Sequence, residues 1–371
     1  MGVSKSQVLF LGNGRCYHTM DWFRSAQALR PESPPVLATE LIDGESFLKL
    51  ITPDDRVERL LVIDRLLFAK QSRLGDIWRN AVKLALLPVQ VVIFRRILNR
   101  YPNSVVHAHS MYYIALARFS GCSYVATPQG SELLARPLRS RAYRLFARTA
   151  LAGASRITVD SVAMQQALSR LFGLPSALVQ NGIDVSSIRH LQRTPVARDK
   201  VVSVRGLVSN YRIDRILDAR NRRATGTAIH LCYPFADSEY KASLQSRMID
   251  GDRDLGRLGR RELHQLLLSA YLVISIPNSD SSPRSVYEAI FCGCIVATSD
   301  GGWLAQLPAC MRERIIVVDL NSEDWLVEAM HYGRAQSVKA FVPSADALDQ
   351  FDQQRSMRRV FEEVYPVALQ A

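Results

Sequence analysis

The sequence predicts an α/β protein of two domains, each a parallel sheet wrapped by helices. The chain has 371 residues, more than one hydrophobic core usually supports. Short apolar runs that end in glycine or polar residues recur along it, with helically spaced segments between them, which is typical of doubly wound sheets. The halves also differ in charge: residues 1–200 carry 27 Lys and Arg against 14 Asp and Glu, whereas residues 201–371 carry 20 against 21.

The first domain is predicted to open with a buried strand over 7–14 that ends in a glycine turn, followed by a helix over 21–30. A strand or buried turn is expected at 59–64, and the apolar face of 82–101 predicts a helix that Pro88 kinks or divides. The other strands of this domain are predicted at 104–110, 123–127, 156–160 and 177–184.

A polar, charged stretch over 186–200 separates the two domains, and a new strand follows at 201–207. The later strands of the second domain are predicted at 227–235, 272–276, 295–299 and 314–320, and its helices at 211–223, 261–270, 284–292 and 323–333. The predicted domains span 1–190 and 191–350, and an amphipathic C-terminal helix over 351–371 is expected to pack back toward the first domain.

The segment SDSSPRSVYEAIFCG, over 279–293, places two carboxylates beside a predicted helix start. The amino end of a helix offers unpaired N–H groups and partial positive charge, which together bind anions. Asp280 would precede the helix and Glu288 would lie about one turn inside it, so both could accept hydrogen bonds from the hydroxyls on either side of a bound diphosphate. We therefore predict a nucleotide-sugar site, with Asp280 on the transferred sugar and Glu288 on the ribose. The alternative is an exposed loop Asp and a solvated helix Glu.

Several segments resemble group 1 glycosyltransferases (glycosyltransferase family 4). The run EAIFCGCIVATSDGG, over 288–302, resembles the end of their E-x7-E segment, with Asp280 in place of the first Glu. The other resembling segments keep the family order and are FLGNG at 10–14, VVHAHS at 105–110, TPQGSELL at 127–134, VQNGID at 179–184 and VVSVRGLVSNYRID at 201–214. The resemblance implies a GT-B fold, in which two Rossmann-like domains face each other across a cleft.

The resemblance also implies a function. It is a retaining, metal-independent transfer of a hexose from a nucleotide-diphosphate sugar, held by the C-terminal domain, to a glycan or lipid-linked sugar held by the acceptor-binding N-terminal domain. The implied setting is bacterial surface polysaccharide biosynthesis, such as that of lipopolysaccharide. No cofactor is expected besides the donor substrate. Because no paired acidic site with a clear strand context is present, we predict no metal.

Two departures from the family pattern concern the predicted site. Arg205-Gly206 inverts the usual Gly-Arg, and Arg212 or Tyr211 stands near the position of the usual Lys. Gln129 replaces a His that lies near the transferred sugar, and Gln cannot exchange protons. Electrostatic stabilisation would then carry most of the catalysis.

The predicted site residues fall into three groups. Those predicted to act in catalysis are Asp280, Gln129 and His109. Those predicted to bind the donor, chiefly at the helix tip, are Arg205, Arg212, Ser281, Ser282, Pro283, Arg284, Ser285 and Glu288, of which Ser281 and Ser282 would cap the helix and Pro283 would stand in its first turn. Those predicted to bind the acceptor or the sugar are Gly12, Asn13, Gly14, His18 and His107. For each histidine a structural role in the core or in capping is the alternative.

The basic first half suggests an anionic partner. The stretch over 136–148, RPLRSRAYRLFAR, sets five arginines among apolar residues, a composition that suits a helix lying on an anionic membrane. An ordinary amphipathic helix with a solvated basic face is the alternative. No nucleic-acid recognition module appears, so we expect no nucleic-acid partner. The first residues do not form a signal-peptide pattern, and we expect a cytoplasmic protein, peripheral on the inner face of the membrane if that surface binds lipid.

Three other functions fit parts of the pattern. A non-catalytic GT-B protein that binds a sugar nucleotide or a glycan fits the substituted Gln129 and the altered phosphate pair. A sugar-nucleotide epimerase of similar fold would act without an acceptor. A nicotinamide oxidoreductase is disfavoured, because GNGRCY lacks the third glycine of the dinucleotide fingerprint.

Overall fold

The computed structural model describes residues 7–40, 50–61, 73–194 and 196–370. The chain divides into two compact units. Unit 1 comprises residues 1–181 together with 354–371, and unit 2 comprises residues 182–353. The divisions fall at 181/182 and 353/354, whereas the predicted boundaries lie at 190/191 and 350/351.

Unit 1 is built on a parallel sheet in which the strand order is β3-β2-β1-β4-β5-β6-β7. Its strands are β1 (Val8–Leu11), β2 (Val36–Thr39), β3 (Arg56–Arg59), β4 (Val105–His109), β5 (Tyr124–Thr127), β6 (Arg156–Val159) and β7 (Ala177–Leu178). The direction of winding reverses between β1 and β4. In doubly wound sheets ligands bind beyond the carboxyl ends of the strands at such a switch point.

Helices cover both faces of this sheet. They are α1 (Tyr17–Leu29), α2 (Arg73–Arg100), α3 (Met111–Ser120), α4 (Gly130–Leu134), α5 (Arg136–Arg139), α6 (Arg141–Leu151) and α7 (Val162–Phe172). Side chains alternate across β1, as the two-residue period of a strand requires. Leu9 and Leu11 enter a core with helices α2 and α3, whereas Val8 and Phe10 enter a second core on the other face.

Unit 2 repeats the architecture, with the strand order β10-β9-β8-β11-β12-β13. Its strands are β8 (Lys200–Ser203), β9 (Ile229–Cys232), β10 (Arg253–Gly256), β11 (Ala270–Ser275), β12 (Ile295–Thr298) and β13 (Ile315–Val317). Its helices are α8 (Val185–Leu191), α9 (Ile213–Arg222), α10 (Ser238–Gln245), α11 (Arg260–Leu268), α12 (Arg284–Phe291), α13 (Ala309–Arg312), α14 (Trp325–Ser337) and α15 (Ala345–Phe351). All its strand pairs are parallel, and the switch point lies between β8 and β11.

The C-terminal segment returns to unit 1. It consists of α16 (Gln353–Arg359), a π-helical turn (Val360–Val364) and α17 (Tyr365–Gln370). Phe361 and Tyr365 are buried with Phe10 and Phe23 in the second core of unit 1. This segment therefore closes the face of the sheet opposite to α2 and α3.

The structure differs from the local predictions at five elements. Strands β2 and β10 were not predicted: β2 is a four-residue run directly after two prolines, and β10 is a polar edge strand with one neighbour. Of the two alternatives at Pro88, the division is wrong, because helix α2 continues through this residue. Pro88 is exposed, so water can satisfy the backbone carbonyl that proline leaves without a donor. The stretch over 136–148 forms two helices, because Ser140 ends α5 and caps α6 through Oγ, which accepts from the N–H of Tyr143 at 3.2 Å. The strand predicted at 59–64 overlaps β3 at one residue, and its positions 62–64 lie outside the described residues.

Candidate functional site

The switch point of unit 2 is formed by two loops that hold each other. The backbone N–H of Asn278 donates to the carbonyl of Asn210 at 2.7 Å. Arg212, which has a left-handed backbone (φ +52°), donates from Nε to the carbonyl of Ile276 at 2.6 Å and from Nη2 to that of Pro277 at 2.9 Å. Arg212 thus ties the start of α9 to the end of β11 with two of its donor nitrogens, and this anchoring fixes the loop that carries Asp280.

Arg205 follows β8 and lies at the centre of this arrangement. Its Nη2 forms an ion pair with Oδ2 of Asp280, and its Nη1 donates to Oγ of Ser285 at 2.9 Å. The guanidinium carbon lies 4.2 Å from the ring centroid of Tyr211, and the residue is 7% exposed. Nε of Arg205 is buried and has no hydrogen-bond partner among the described residues. The structure therefore brings Arg205 together with two residues of the predicted site, Asp280 and Ser285, that lie 75 and 80 residues further along the sequence.

The helix tip differs in detail from the prediction. Helix α12 begins at Arg284 with Pro283 as its N-cap residue, so the N-cap position is not one of the serines that we predicted there. Ser281 and Ser282 stand in the preceding loop, where the N–H of Ser282 donates to Oδ1 of Asp280 at 3.2 Å. The carboxylate of Asp280 thus accepts from both the loop backbone and Arg205.

Glu288 is not a solvated helix residue. Its side chain is 7% exposed, and Oε1 lies 3.5 Å from Nε of Arg284 on the same face of α12. A buried carboxylate requires a charged or hydrogen-bonding partner, which Arg284 supplies. His264 on α11 is fully buried nearby in the field of Glu288; burial lowers its pKa, and both ring nitrogens lack a partner among the described residues. No sequence pattern singles out His264, which lies on the apolar face of an ordinary helix.

In unit 1 a small pocket of about 40 Å³ lies at the carboxyl ends of β4, β5 and β6. Three predicted residues line it, His18, His109 and Gln129, together with Asp160 and Asn181. Asp160 and Asn181 are not among the predicted site residues. The available signals were the position of Asp160 at the end of the predicted strand 156–160 and the position of Asn181 in the family-like segment VQNGID.

The two histidines of β4 have different surroundings. His107 has no exposed surface; its Nδ1 lies 2.9 Å from Oη of Tyr365 and its Nε2 lies 2.6 Å from Oγ1 of Thr127. Burial and the neighbouring His109 hold the pKa of His107 well below its usual value. His107 thus ties the C-terminal segment to the sheet, and it does not line the pocket.

His109 lines the pocket and is 3% exposed. Burial, assisted by the charge of His18, lowers the pKa of His109 to about 3, so the ring is neutral near pH 7. Its Nε2 has no partner among the described residues. A neutral imidazole of this kind can exchange hydrogen bonds with a hydroxyl, but near pH 7 it is not in the imidazolium form that acts as a general acid.

Two backbone features shape the pocket wall. A Cβ added at Gly12 would lie 2.7 Å from Cγ2 of Thr19 and 3.3 Å from Cβ of His109, so only glycine permits the turn after β1 to approach so closely. Ser110, which follows His109, has φ +69° and ψ 154°, a conformation almost restricted to glycine. Backbone strain of this kind concentrates at functional sites. The turn also contains Gly14, whose N–H donates to Oγ1 of Thr39 at 3.0 Å.

Hydrogen bonds between other polar groups hold the residues that line or surround the pocket. Oδ1 of Asn181 accepts from Nε1 of Trp22 at 2.9 Å, and Nδ2 of Asn181 donates to Oδ2 of Asp160 at 2.8 Å. Nε2 of Gln129 contacts Sγ of Cys16 at 3.4 Å, and the N–H of Gln129 donates to the buried Glu132 at 2.9 Å. Asn13, which was predicted to bind the acceptor or the sugar, lies in the turn before α1, where its Oδ1 accepts from the N–H of Arg15 at 2.9 Å. Among the described residues, no group of three or more His, Cys, Asp or Glu is placed to hold a metal ion.

Comparisons with known proteins agree with this architecture. Residues 64–187 match the family model of Glycosyltransferase Family 4. No curated protein sequence matches the chain at a significant level.

Solved structures resemble nearly the whole chain. HepE from Anabaena, in complex with UDP-glucose, has a TM-score of 0.71 at 17% identity, covering 96% of this chain and 98% of HepE. Sucrose-phosphate synthase from Thermosynechococcus elongatus has a TM-score of 0.66 at 14% identity, covering 98% and 97%. A UDP-forming trehalose-phosphate synthase from Burkholderia xenovorans has a TM-score of 0.66 at 12% identity, covering 98% and 99%. At these identities the likeness establishes the fold.

Proposed function

We propose that this protein is an enzyme that transfers a hexose from a nucleotide-diphosphate sugar to a glycan or lipid-linked acceptor. It has the GT-B fold, and one segment matches the family 4 model. The observation that carries the proposal is the cluster at the tip of α12, where Arg205, Asp280 and Ser285 meet beside the buried Glu288. The cluster combines a fixed cation, a helix amino end and two carboxylates. These are the groups that a diphosphate between two hydroxyl-bearing rings requires.

The proposed chemistry is retaining and needs no metal. Arg205 and the N–H groups of α12 would stabilise the charge that develops on the departing diphosphate. Glu288 would accept hydrogen bonds from the ribose, and Asp280 from the transferred sugar. His109 is neutral, so in the pocket of unit 1 it would position a hydroxyl rather than carry a proton. UDP and UDP-glucose are the ligands of the HepE structures, so a UDP-sugar is the first donor to test.

Replacement of Glu288 by Ala tests this proposal. A panel of nucleotide-sugars, screened by thermal shift, first identifies the donor, because a ligand that binds only the folded state raises the melting temperature. We expect the variant to bind that donor about 10- to 100-fold more weakly by calorimetry, because a charged hydrogen bond contributes roughly 1.5–3 kcal/mol. Glu313→Ala, at an exposed position of the same unit, is the matched control. Unchanged donor affinity in Glu288→Ala would remove the site from consideration.

A second candidate function is non-catalytic binding of a sugar nucleotide. It is favoured by Gln129, which stands where many family members have a His, and by a pocket whose His109 is neutral. Release of free sugar from the donor in the absence of acceptor separates the two functions, since a pure binding protein would leave the donor intact.

We also propose that the acceptor side of unit 1 works at an anionic membrane surface, in bacterial surface polysaccharide assembly. The support is a basic surface formed by α5 and α6. Its exposed arginines are Arg136, Arg139, Arg141, Arg144 and Arg148. Between them Leu138 and Leu145 are 63% and 67% exposed, and no acidic residue occurs over 133–159. Exposed leucines among arginines suit insertion between anionic head groups. Among the described residues no helix is long and apolar enough to cross a membrane.

A further inference from the structure

The ion pair between Arg205 and Asp280 joins two positions at which this chain departs from the family 4 pattern. One departure is the inverted Arg205-Gly206, and the other is Asp280 in place of the first Glu. The two side chains are 75 residues apart in the sequence and in direct contact in the structure. Arg205 and Asp280 therefore form an ion pair whose net charge is zero.

Arg205 cannot leave this position easily. Tyr211 stacks on the guanidinium at 4.2 Å, Ser285 accepts from Nη1 at 2.9 Å, and 7% of the residue is exposed. A diphosphate at the tip of α12 would have to share the guanidinium with Asp280. The buried Nε, which has no partner among the described residues, marks donor capacity that Asp280 and Ser285 leave unused.

We propose that Asp280 is a specificity-determining counter-ion: it weakens binding of a bare diphosphate and favours the intact donor. The proposal rests on the proposed function and concerns the same site. A diphosphate alone must compete with Asp280 for the guanidinium of Arg205, without any compensating contact. A nucleotide-sugar brings hydroxyls that can donate hydrogen bonds to the same carboxylate, so part of that cost is offset. Specificity of this kind comes from an element that penalises the wrong ligand, here the nucleotide-diphosphate product.

Calorimetry with inorganic pyrophosphate and with UDP tests the proposal on the full chain. Asp280→Asn keeps the size and the hydrogen-bonding capacity of the side chain and removes its charge. We expect it to bind both probes about tenfold more tightly than the wild type, because the guanidinium of Arg205, no longer paired with a carboxylate, can pair with the phosphate groups. Glu239→Gln removes a charge at an exposed position of the same unit and should change neither affinity.

The gain must depend on Arg205. In an Arg205→Gln background, Asp280→Asn should tighten binding less than twofold. The reason is that the guanidinium of Arg205, which Asp280→Asn would make available to the phosphate groups, is absent. Asp280→Ser, which also lacks the charge, should reproduce the gain if Asp280→Asn folds poorly.

Two results would overturn the counter-ion role: equal or weaker pyrophosphate binding in both Asp280 variants, or a full gain in the Arg205→Gln background. If UDP binds and Glu288→Ala weakens it while the Asp280 variants change nothing, the counter-ion role fails and the proposed function stands. If neither probe nor any nucleotide-sugar binds to any form of the protein, both fail.

Discussion

At the scale of single residues, burial decides which histidines can do chemistry. His107 lies in the middle of strand β4 and His109 at its end, and their ring centroids lie 4.4 Å apart. His107 is enclosed by Tyr365 and Thr127, whereas His109 faces a pocket. Neither would be charged near neutral pH, because both pKa values are lowered. Alternation along the strand predicted that the two rings share a face; their partners could not be predicted.

The lowered pKa of His109 predicts a pH dependence of stability. Below about pH 6.5 the unfolded chain protonates this residue, whereas the folded protein keeps it neutral down to a pKa of about 3. Acidification through this window therefore favours unfolding, by up to about 1.4 kcal/mol per pH unit for each such group. Urea denaturation measures the free energy of unfolding at pH 6.5 and at pH 5.5. The decrease between the two pH values should be about 1 kcal/mol smaller in His109→Asn than in the wild type. His190→Asn, at an exposed position, is the control; equal losses in all three proteins would contradict the assignment.

At the scale of elements, helix α6 combines a buried and a basic face. Ala147, Ala150 and Leu151 pack into the core, whereas Arg144 and Leu145 point to solvent. The sequence predicted the amphipathic character, but not the break at Ser140, because capping by Ser140 depends on the local conformation of the backbone.

The basic surface predicts binding to anionic lipid. The variant with Arg139, Arg141 and Arg144 replaced by Glu should bind vesicles of phosphatidylglycerol on the order of 100-fold more weakly, because each basic residue contributes about 1 kcal/mol. Co-sedimentation measures this. The matched control carries Glu at three exposed arginines of unit 2, namely Arg222, Arg261 and Arg312. Equal binding by the two triple variants would show that net charge, and not this surface, attracts the lipid.

At the scale of the whole molecule, the C-terminal segment completes a core formed by the first residues of the chain. Phe361 packs there with Phe10 and Phe23, and Oη of Tyr365 contacts His107. The stability of unit 1 therefore depends on residues that follow unit 2 in the sequence.

Replacement of Phe361 by Ala should destabilise unit 1 by about 3–5 kcal/mol, because it removes a buried aromatic ring and leaves a cavity. Hydrogen exchange in increasing urea should show lost protection in peptides from β1 and β4, with smaller changes in peptides from β11 and β12. Phe119→Ala, in the same unit but 44% exposed, is the control. Equal loss of protection in both variants would argue against this dependence.

Sequence patterns are sufficient to predict the alternation of strands and helices, the presence of two sheets, and the loop and helix that carry Asp280 and Glu288. These features depend on short-range periodicity and turn residues, which a single chain displays directly. Edge strands such as β10 were not predicted, because few of their side chains are buried.

Which side chains contact each other depends on the three-dimensional packing of the chain. Arg205 contacts Asp280 across 75 residues and His107 contacts Tyr365 across 258. Such contacts are set by the packing of distant strands and helices, which no local pattern encodes. Burial, and with it the protonation state of His109 and the pairing of Glu288 with Arg284, follows from the same packing.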